Sequence, residues 1–420
     1  MFKNLKLIFS PKNKDIRKRI SFTLFGLLIF ALGTTIPVPG TEGAISNLGL
    51  WELYNAIGGG ALKNFSIFAL GVMPYISASI ITGILQMDII PYFTELKESG
   101  EQGRQKINQI NRYIGIVLAF LQGFAMAFTF VNDASTLEYI KIATILTAGT
   151  AFLLWLGDQM TQKGIGNGIS LLIMSGIIYT VPKMFIDCFD SLVLSTEASL
   201  LIGIISFIVF VLIYLLIIVG VIFEECSERR IPIQYSNRTT SAYGRNQNYI
   251  PFKLNSAGVM PVIFASVILS IPSFIAGVLG EESAFSLFVN NYINYTTPVG
   301  FVLYILLIFV FGFFYTGMQI NPKELAKNLN KSGGYIPGVR PGTETEKYIK
   351  KILNRITFLG STFIAIIAGI PIIFSSFINT GLPESVSIGG TGILIVVGVA
   401  IESYKQLESS LINRNYKGAR

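Results

Sequence analysis

Ten stretches of this sequence are each long enough and apolar enough to cross a lipid bilayer as a helix. Crossing the hydrocarbon core, about 30 Å thick, takes about 20 predominantly apolar residues. Only 13% of the 420 residues are charged, roughly half the share in an ordinary soluble domain. We therefore predict an all-α, polytopic membrane protein. The predicted spans are 20–37, 72–90, 113–131, 139–157, 167–186, 199–223, 256–279, 298–319, 356–377 and 387–404.

The distribution of basic residues predicts the orientation of these spans. With the N-terminus in the cytoplasm, 29 of the 32 lysines and arginines fall on the cytoplasmic side, and only Lys63, Lys141 and Lys183 fall outside. Membrane proteins show this bias because positive charges are retained in cytoplasmic loops. Both termini are therefore predicted to be cytoplasmic. The two long loops, 224–255 and 320–355, also lie there, and their length and basic character predict a docking surface for a partner.

Glycine and proline interrupt one predicted span in each half of the chain. Gly71 and Pro74 fall in the second span, and Gly258, Pro261 and Pro272 fall in the seventh. Five spans per half give equivalent helices opposite orientations, so the repeat is predicted to be inverted. Broken helices at matching positions of an inverted repeat are typical of a central pathway through the membrane. Secondary transporters share this pattern, so it does not choose a function by itself.

A short segment ahead of the second span is predicted to form a separate piece. Three glycines, 58–60, precede it, and the breakers at Gly71 and Pro74 separate residues 61–73 from the rest of the span. Non-helical backbone at membrane depth is tolerated only where it is buried in protein or lines a wet cavity. The segment therefore indicates a pore or a binding cavity.

Catalytic and cofactor chemistry find little support in the sequence. It contains no histidine, which is the commonest general base and metal ligand. Gly164, Gly166 and Gly168 resemble part of a dinucleotide-binding fingerprint but lack its preceding strand and its following acidic residue. Cys188 and Cys226 are expected on opposite membrane faces and so should not pair. We predict no enzyme activity, no cofactor and no metal site, with a membrane-embedded enzyme as a disfavoured alternative.

The middles of the predicted spans contain no Asp, Glu, Lys or Arg. Ion-coupled transporters usually place ionisable groups there, so that class is disfavoured, and a secondary transporter of a small apolar solute stays as the alternative. Apolar and small polar side chains would line the pathway. Ile76 and Ile80, like Ile169 and Ile173, stand four residues apart and share a helix face, although this spacing alone favours a lipid-facing role.

Eight longer segments occur in the order found in one known family. They are IPVPG (36–40), GGALKNFSIFALGVMPYISASII (59–81), GTAFLLWLGDQMTQKGIGNGISLL (149–172), ERRIPIQYSNR (228–238), IPFKLNSAGVMPVIFAS (250–266), NPKELAKNLNKSGGYIPGVRPG (321–342), LNRITFLG (353–360) and GGTGILIVVG (389–398). Together they resemble the SecY family, the channel-forming subunits of the bacterial Sec translocon.

This resemblance implies a clamshell of two inverted five-helix halves, 1–190 and 191–420, hinged between the fifth and sixth spans. Unfolded preprotein would pass through the centre of this passive channel in the bacterial plasma membrane. A lateral gate between spans two/three and seven/eight would release transmembrane helices into the lipid bilayer. The implied partners are small SecE-like and SecG-like membrane subunits, the SecA motor ATPase, the ribosome, and the preprotein with its signal peptide.

The resemblance also implies roles for particular residues. The central pore ring maps to Ile76, Ile80, Ile169, Ile173, Ile263 and Ile395. The plug maps to about 57–70 and includes Gly59, Gly60, Phe65, Ile67 and Phe68. The polar lining of the lateral gate maps to Ser79, Thr82, Gln122 and Ser266. The cytoplasmic docking contacts map to Arg238, Arg245 and Arg340.

Three positions depart from the family pattern. Ala31 stands where an arginine is usual, and Gly83 stands where a glutamine is common in the gate helix. The tip of the loop between spans six and seven reads YGRN at 243–246 instead of the usual Tyr-Gly-Gly. These departures leave open how polar the gate is and which contacts the loop tip makes.

Overall fold

The computed structural model describes residues 14–41, 51, 54–55, 58, 60–86, 90–131, 135–194, 200–235, 248–280, 283–374 and 384–417. The α-helices of this part of the chain are α1 (Lys14–Gly33), α2 (Met73–Leu85), α3 (Pro91–Glu98), α4 (Glu101–Phe130), α5 (Thr136–Lys163), α6 (Gly168–Phe189), α7 (Leu200–Cys226), α8 (Met260–Leu279), α9 (Ala284–Phe288), α10 (Pro298–Gln319), α11 (Pro322–Lys331), α12 (Thr343–Ile373) and α13 (Glu384–Lys417). The strands are β1 (Glu228–Tyr235), β2 (Asn248–Lys253) and β3 (Gly334–Tyr335). Short π-helical turns, Asp190–Leu194 and Val289–Ile293, follow α6 and α9.

The ten predicted spans correspond to these helices, with α3, α9 and α11 lying outside the set. Among the described residues, seven helices are long and apolar enough to cross a membrane, namely α4 to α8, α10 and α12. Helix α2 has only 13 residues, which amounts to about 20 Å of helix. It is therefore shorter than the hydrocarbon core of a bilayer is thick.

Several helices extend beyond the predicted spans on the cytoplasmic side. Helix α12 begins at Thr343, thirteen residues before the predicted boundary at 356, and α13 continues to Lys417. Glu344 and Glu346 occupy the first turn of α12, where carboxylates interact favourably with the helix dipole. Hydropathy marks only the part of a helix that lies in lipid, so these polar extensions were absent from the predicted boundaries.

Helices α2 and α8 begin with the same backbone conformation, because residues 71–79 read GVMPYISAS and residues 258–266 read GVMPVIFAS. Gly71 and Gly258 have φ values of 55° and 61°, which glycine adopts without steric cost. Pro74 and Pro261 lie in the first helical turn, where no backbone hydrogen bond is lost. The two prolines therefore lie at the starts of these helices, and the break predicted at Gly71 and Pro74 is present as the boundary between the preceding turns and α2.

This repeat relates the two halves of the fold. Each copy places an isoleucine, Ile76 or Ile263, three residues into its helix, and a serine, Ser79 or Ser266, one turn later. Helix α2 is the second span and α8 the seventh, so the copies stand five spans apart and point in opposite directions across the membrane. Proline remains inside α8 at Pro272.

A single large apolar core joins the two halves. Helix α2 packs against α4, which packs against α5, whereas α8 packs against α10, which packs against α12. Helix α6 packs against α13 and so connects the halves, and α8 also contacts α2 and α4. The core therefore sits where helices from both halves face each other, at the place where a pathway would have to pass.

The two long cytoplasmic loops form one folded unit. Strand β1 pairs antiparallel with β2, with Ile231 opposite Ile250, and antiparallel with β3, with Gln234 opposite Tyr335. An apolar cluster separate from the main core holds the unit together; its buried members are Ile231, Ile233, Phe252, Leu329, Ile336, Ile349, Leu353 and Ile356. These loops were predicted only as polar and basic, and their shared core was missed. The spacing of Ile231 and Ile233, two residues apart and flanked by Arg230 and Gln234, was the available signal for a strand.

Candidate pore, plug and gate

The six isoleucines assigned to the pore ring lie in one apolar cluster. They come from α2 (Ile76, Ile80), α6 (Ile169, Ile173), α8 (Ile263) and α13 (Ile395). Five of them are buried, and Ile169 is partly buried. The four helices belong to both halves of the fold. Branched apolar side chains offer water no hydrogen-bond partner, so a narrow passage lined by them can close by dewetting.

Ile169 also has a close neighbour on α5, a helix that contributes none of the six isoleucines. A Cβ atom added to Gly157 of α5 would lie 3.0 Å from Cγ1 of Ile169. Part of the Ile169 side chain therefore packs into the contact between α5 and α6. Ile173, one turn further along α6, is buried, with 6% of its surface exposed.

The segment before α2 consists of tight turns and is anchored to the first half of the fold. The ring of Phe68 lies parallel to Phe30 of α1 and Phe152 of α5, with centroids 6.2 and 6.0 Å apart. A Cβ atom on Gly33 would lie 1.9 Å from the Phe68 ring, and one on Gly149 would lie 2.0 Å from the carbonyl oxygen of Ile67. A side chain at either glycine would overlap with this segment, so the segment can pack here only because both positions are glycine.

Backbone hydrogen bonds strengthen this attachment. The N–H of Val38 donates to the carbonyl oxygen of Phe65 at 3.0 Å, and the N–H of Ile67 donates to that of Ile36 at 3.0 Å. Phe65 is buried with φ at 43°, a value that is uncommon outside glycine. Gly60 has φ at 76°, whereas Gly59 lies outside the described residues. The predicted separate piece is thus present, as turns packed against α1, α4 and α5.

Helices α2 and α10 approach closely at Gly83. A Cβ atom on this glycine would lie 3.2 Å from the ring of Phe314 and 3.7 Å from the sulfur of Met318, both on α10. This contact, together with the packing of α8 against α2 and α4, forms a seam between the two halves. The seam is apolar at Gly83, where the family pattern would have placed a polar amide.

The four polar residues assigned to the gate have different surroundings. Thr82 is buried, and its hydroxyl donates to the side-chain oxygen of Asn111 in α4, so it joins two helices of the first half. Ser79 is partly exposed and Ser266 is buried. Gln122 of α4 accepts a hydrogen bond from the Tyr54 hydroxyl at 3.2 Å. Sequence reasoning had identified neither of these partners.

Arg340 lies in an exposed cleft of the cytoplasmic unit. The cleft has a volume of about 510 Å³ and is also lined by Glu344, Lys347, Tyr348 and Lys351. The hydroxyl of Thr345 donates to the carbonyl oxygen of Arg340 at 2.9 Å, which fixes the turn that presents the guanidinium. Three cations against one carboxylate give the cleft a positive charge. The other two predicted docking residues, Arg238 and Arg245, lie outside the described residues, as does the tip 243–246.

Comparison with known protein sequences identifies relatives over the whole length. The SecY family model matches residues 66–404. The protein translocase subunit SecY of Bacillus subtilis (strain 168) is 47% identical over 418 residues, which cover 96% of this chain and 96% of that protein. The protein of the same name from Halalkalibacterium halodurans is 44% identical over 431 residues, covering 100% and 99%.

Solved structures with the same fold are also known. One described as the structure of a protein conducting channel superimposes with a TM-score of 0.70, at 18% identity, over 94% of this chain and 92% of its own. Sec61 from a canine ribosome–channel complex superimposes with a TM-score of 0.67 over the same shares, also at 18% identity. At this level of identity the likeness establishes the fold.

Proposed function

The chain belongs to the SecY family, and from that premise we propose that it passes unfolded preproteins across the bacterial plasma membrane and releases transmembrane helices sideways into lipid. It acts as a passive channel and not as an enzyme. The observation that carries the proposal is the apolar cluster to which α2, α6, α8 and α13 each contribute isoleucines. Such a cluster, between two halves that can separate, suits a passage that must open for a chain and close to ions.

The physical requirement on such a channel is a seal that adapts to any sequence. In this proposal the ring of Ile76, Ile80, Ile169, Ile173, Ile263 and Ile395 is the constriction. Aliphatic side chains can rearrange around a passing polypeptide without demanding particular hydrogen bonds, and they exclude water when they close on each other. Residues 57–70 act as the plug that supports this closure from the outer side.

The proposed lateral gate is the seam that α2 and α4 form with α8 and α10. The contact at Gly83 supports it, because a glycine that meets Phe314 allows two helices to approach without binding them by polar contacts. Ser79, Thr82, Gln122 and Ser266 are its proposed polar positions. The halves 1–190 and 191–420 would move as the two parts of the clamshell.

The proposed partners follow from the relatives and from the charge of the cytoplasmic unit. The relatives are named as subunits of a protein translocase, and Sec61 is described in a complex with a ribosome. We infer that SecE-like and SecG-like subunits complete this channel, and that SecA or a ribosome docks on the cytoplasmic unit. Arg340 is the proposed central contact, with Arg238 and Arg245 on the neighbouring loop.

Reconstitution of the purified protein with its small subunits into liposomes tests this function. With SecA, ATP and a preprotein outside, we expect the preprotein to become protected from added protease, and protection to be lost on detergent lysis. Vesicles that take up a small apolar solute but never protect a preprotein would contradict the channel and favour the transporter. Vesicles without this chain are the control for both measurements.

A further inference from the structure

Trp51, in the chain segment before the plug, packs between the outer ends of two helices that belong to opposite halves. Its ring meets Phe274 of α8 edge to face, with centroids 4.6 Å apart, and meets Phe130 of α4 in the same way at 5.3 Å. The side chain is only 4% exposed. Edge-to-face aromatic pairs stabilise a contact beyond the area that they bury, so Trp51 joins α4 to α8.

Helix α8 is shaped to receive this ring. A Cβ atom on Gly277 would lie 2.3 Å from Nε1 of Trp51, so any larger residue at 277 would collide with the indole. Phe274 and Gly277 lie three residues apart and therefore on the same helix face. The indole thus occupies a notch of α8 that exists because position 277 carries no side chain.

Tyr54 makes a second bridge between the same two helices. Its hydroxyl donates to Oε1 of Gln122 on α4 at 3.2 Å, and its ring centroid lies 6.0 Å from that of Phe274 on α8. Tyr54 is buried and also contacts Trp51, with centroids 6.3 Å apart. Two aromatic residues of one segment therefore each touch both sides of the seam.

The bridging residues are connected directly to the plug. The N–H of Gly58 donates to the carbonyl oxygen of Tyr54 at 2.9 Å, and the N–H of Gly60 donates to that of Asn55 at 2.8 Å. The side-chain oxygen of Asn55 accepts from the N–H of Lys63 at 3.1 Å. A displacement of Gly58, Gly60 and Lys63 would therefore also displace Tyr54 and Asn55 through these hydrogen bonds. It would displace Trp51 through the ring contact with Tyr54.

We propose that Trp51 and Tyr54 form an aromatic clasp that holds the outer ends of α4 and α8 together, so that the seam opens only when the plug withdraws the clasp. This inference rests on the proposed channel function and its gate between α2/α4 and α8/α10. It assigns to Gly277 the role of admitting the indole. Opening of the gate and displacement of the plug then become one mechanical step.

Spin-label distances across the seam test the clasp in the assembled complex. Labels are attached at Phe128→Cys on α4 and Leu279→Cys on α8, both exposed near the outer ends. Cys226 is exposed and is replaced by Ser, whereas Cys188 is buried and stays. In the resting complex we expect one short distance, and Trp51→Ala should raise the population of longer distances about tenfold, because the two aromatic pairs that join Trp51 to α4 and α8 are lost.

Matched variants separate the clasp from general damage. Trp155, the other tryptophan, is 56% exposed on α5, so Trp155→Ala should leave the distances unchanged. Gly277→Ala keeps Trp51 but displaces its ring, and it should reproduce the longer distances, whereas Trp51→Phe should restore most of the short population. Unchanged distances in both Trp51→Ala and Gly277→Ala would overturn the clasp.

Fluorescence gives a second measurement without weakening the clasp. In Trp155→Phe, Trp51 is the remaining tryptophan of the chain, since the sequence has two. We expect a signal peptide to shift its emission to the red and to increase its quenching by acrylamide. If this variant translocates a preprotein while Trp51 stays shielded, the clasp is wrong and the channel stands. If the unaltered complex translocates nothing, the proposed function itself fails.

Discussion

Single glycines decide where the plug segment can rest. Gly33 faces the ring of Phe68, which stacks between the rings of Phe30 and Phe152. The contact between Gly33 and Phe68 depends on the absence of a Cβ atom at position 33 and not on a hydrogen bond or an ion pair. The closed position of the plug should therefore be sensitive to the addition of one methyl group at position 33.

We expect Gly33→Ala to open a resting ion leak. The added Cβ would lie 1.9 Å from the Phe68 ring, and overpacking of this kind costs about 1–3 kcal/mol, so the seated plug is destabilised. Planar-bilayer conductance of the purified complex measures the leak. Gly317→Ala is the matched control, because a Cβ there meets nothing within 4 Å and should leave conductance unchanged. If the folded Gly33→Ala complex has the same resting conductance as the unaltered complex, the contact between Gly33 and Phe68 does not contribute to the seal against ions.

The sequence indicated some residue roles and not others. The pore isoleucines follow from the resemblance, and their four-residue spacing agrees with one helix face. The clasp of Trp51 could not be predicted, since its partner Phe274 lies more than 200 residues away and the fit depends on the notch at Gly277. Thr82 was assigned to the gate lining, yet its hydrogen bond to Asn111 joins it to α4. Such partners are set by packing and leave no periodic signal.

At the scale of elements, the cytoplasmic unit is the part that the sequence described least well. Apolar runs predict membrane-spanning helices reliably. Backbone N–H and C=O groups without hydrogen-bond partners are energetically costly in lipid, and a helix pairs them all. In water the same chain uses short strands and a polar helix extension, and their apolar residues are few and dispersed. Ile349, fully buried where α12 leaves the membrane region, is one such residue. The sequence alone therefore did not indicate the cleft in which the structure places Arg340.

Reversing the charge of Arg340 should weaken docking on this unit. We expect Arg340→Glu to bind SecA or ribosomes about tenfold more weakly at low salt, since a charge at the rim acts on encounter and orientation. The difference in affinity between Arg340→Glu and the unaltered protein should shrink as the salt concentration rises, because salt screens the attraction between the positive cleft and its partner. Lys106→Glu, on an exposed position of α4 outside the cytoplasmic unit, is the control and should bind normally. Equal affinities for Arg340→Glu and the unaltered protein would show that the partner does not dock at the cleft around Arg340.

At the scale of the whole molecule, the ten-helix arrangement fixes which loops face which side. Single cysteines introduced at Asn291 and Ser332, both exposed, should be labelled by a membrane-impermeant maleimide from opposite faces in sealed vesicles. Cys226→Ser provides the background, since Cys226 is exposed and Cys188 is buried. Labelling of both sites from the same face would contradict the helix count between them and the orientation deduced from the basic residues.

The path of the polypeptide through the molecule is tested most directly by cross-linking to an arrested preprotein. A photoreactive residue at Ile173 should cross-link to the arrested chain, because this side chain lies in the cluster to which both halves contribute. The same residue at Leu216, which is 66% exposed on α7, should cross-link to lipid and not to the preprotein. Cross-links at Ile173 alone are the predicted result. Cross-links at Leu216 with none at Ile173 would show that the preprotein does not pass through the isoleucine cluster.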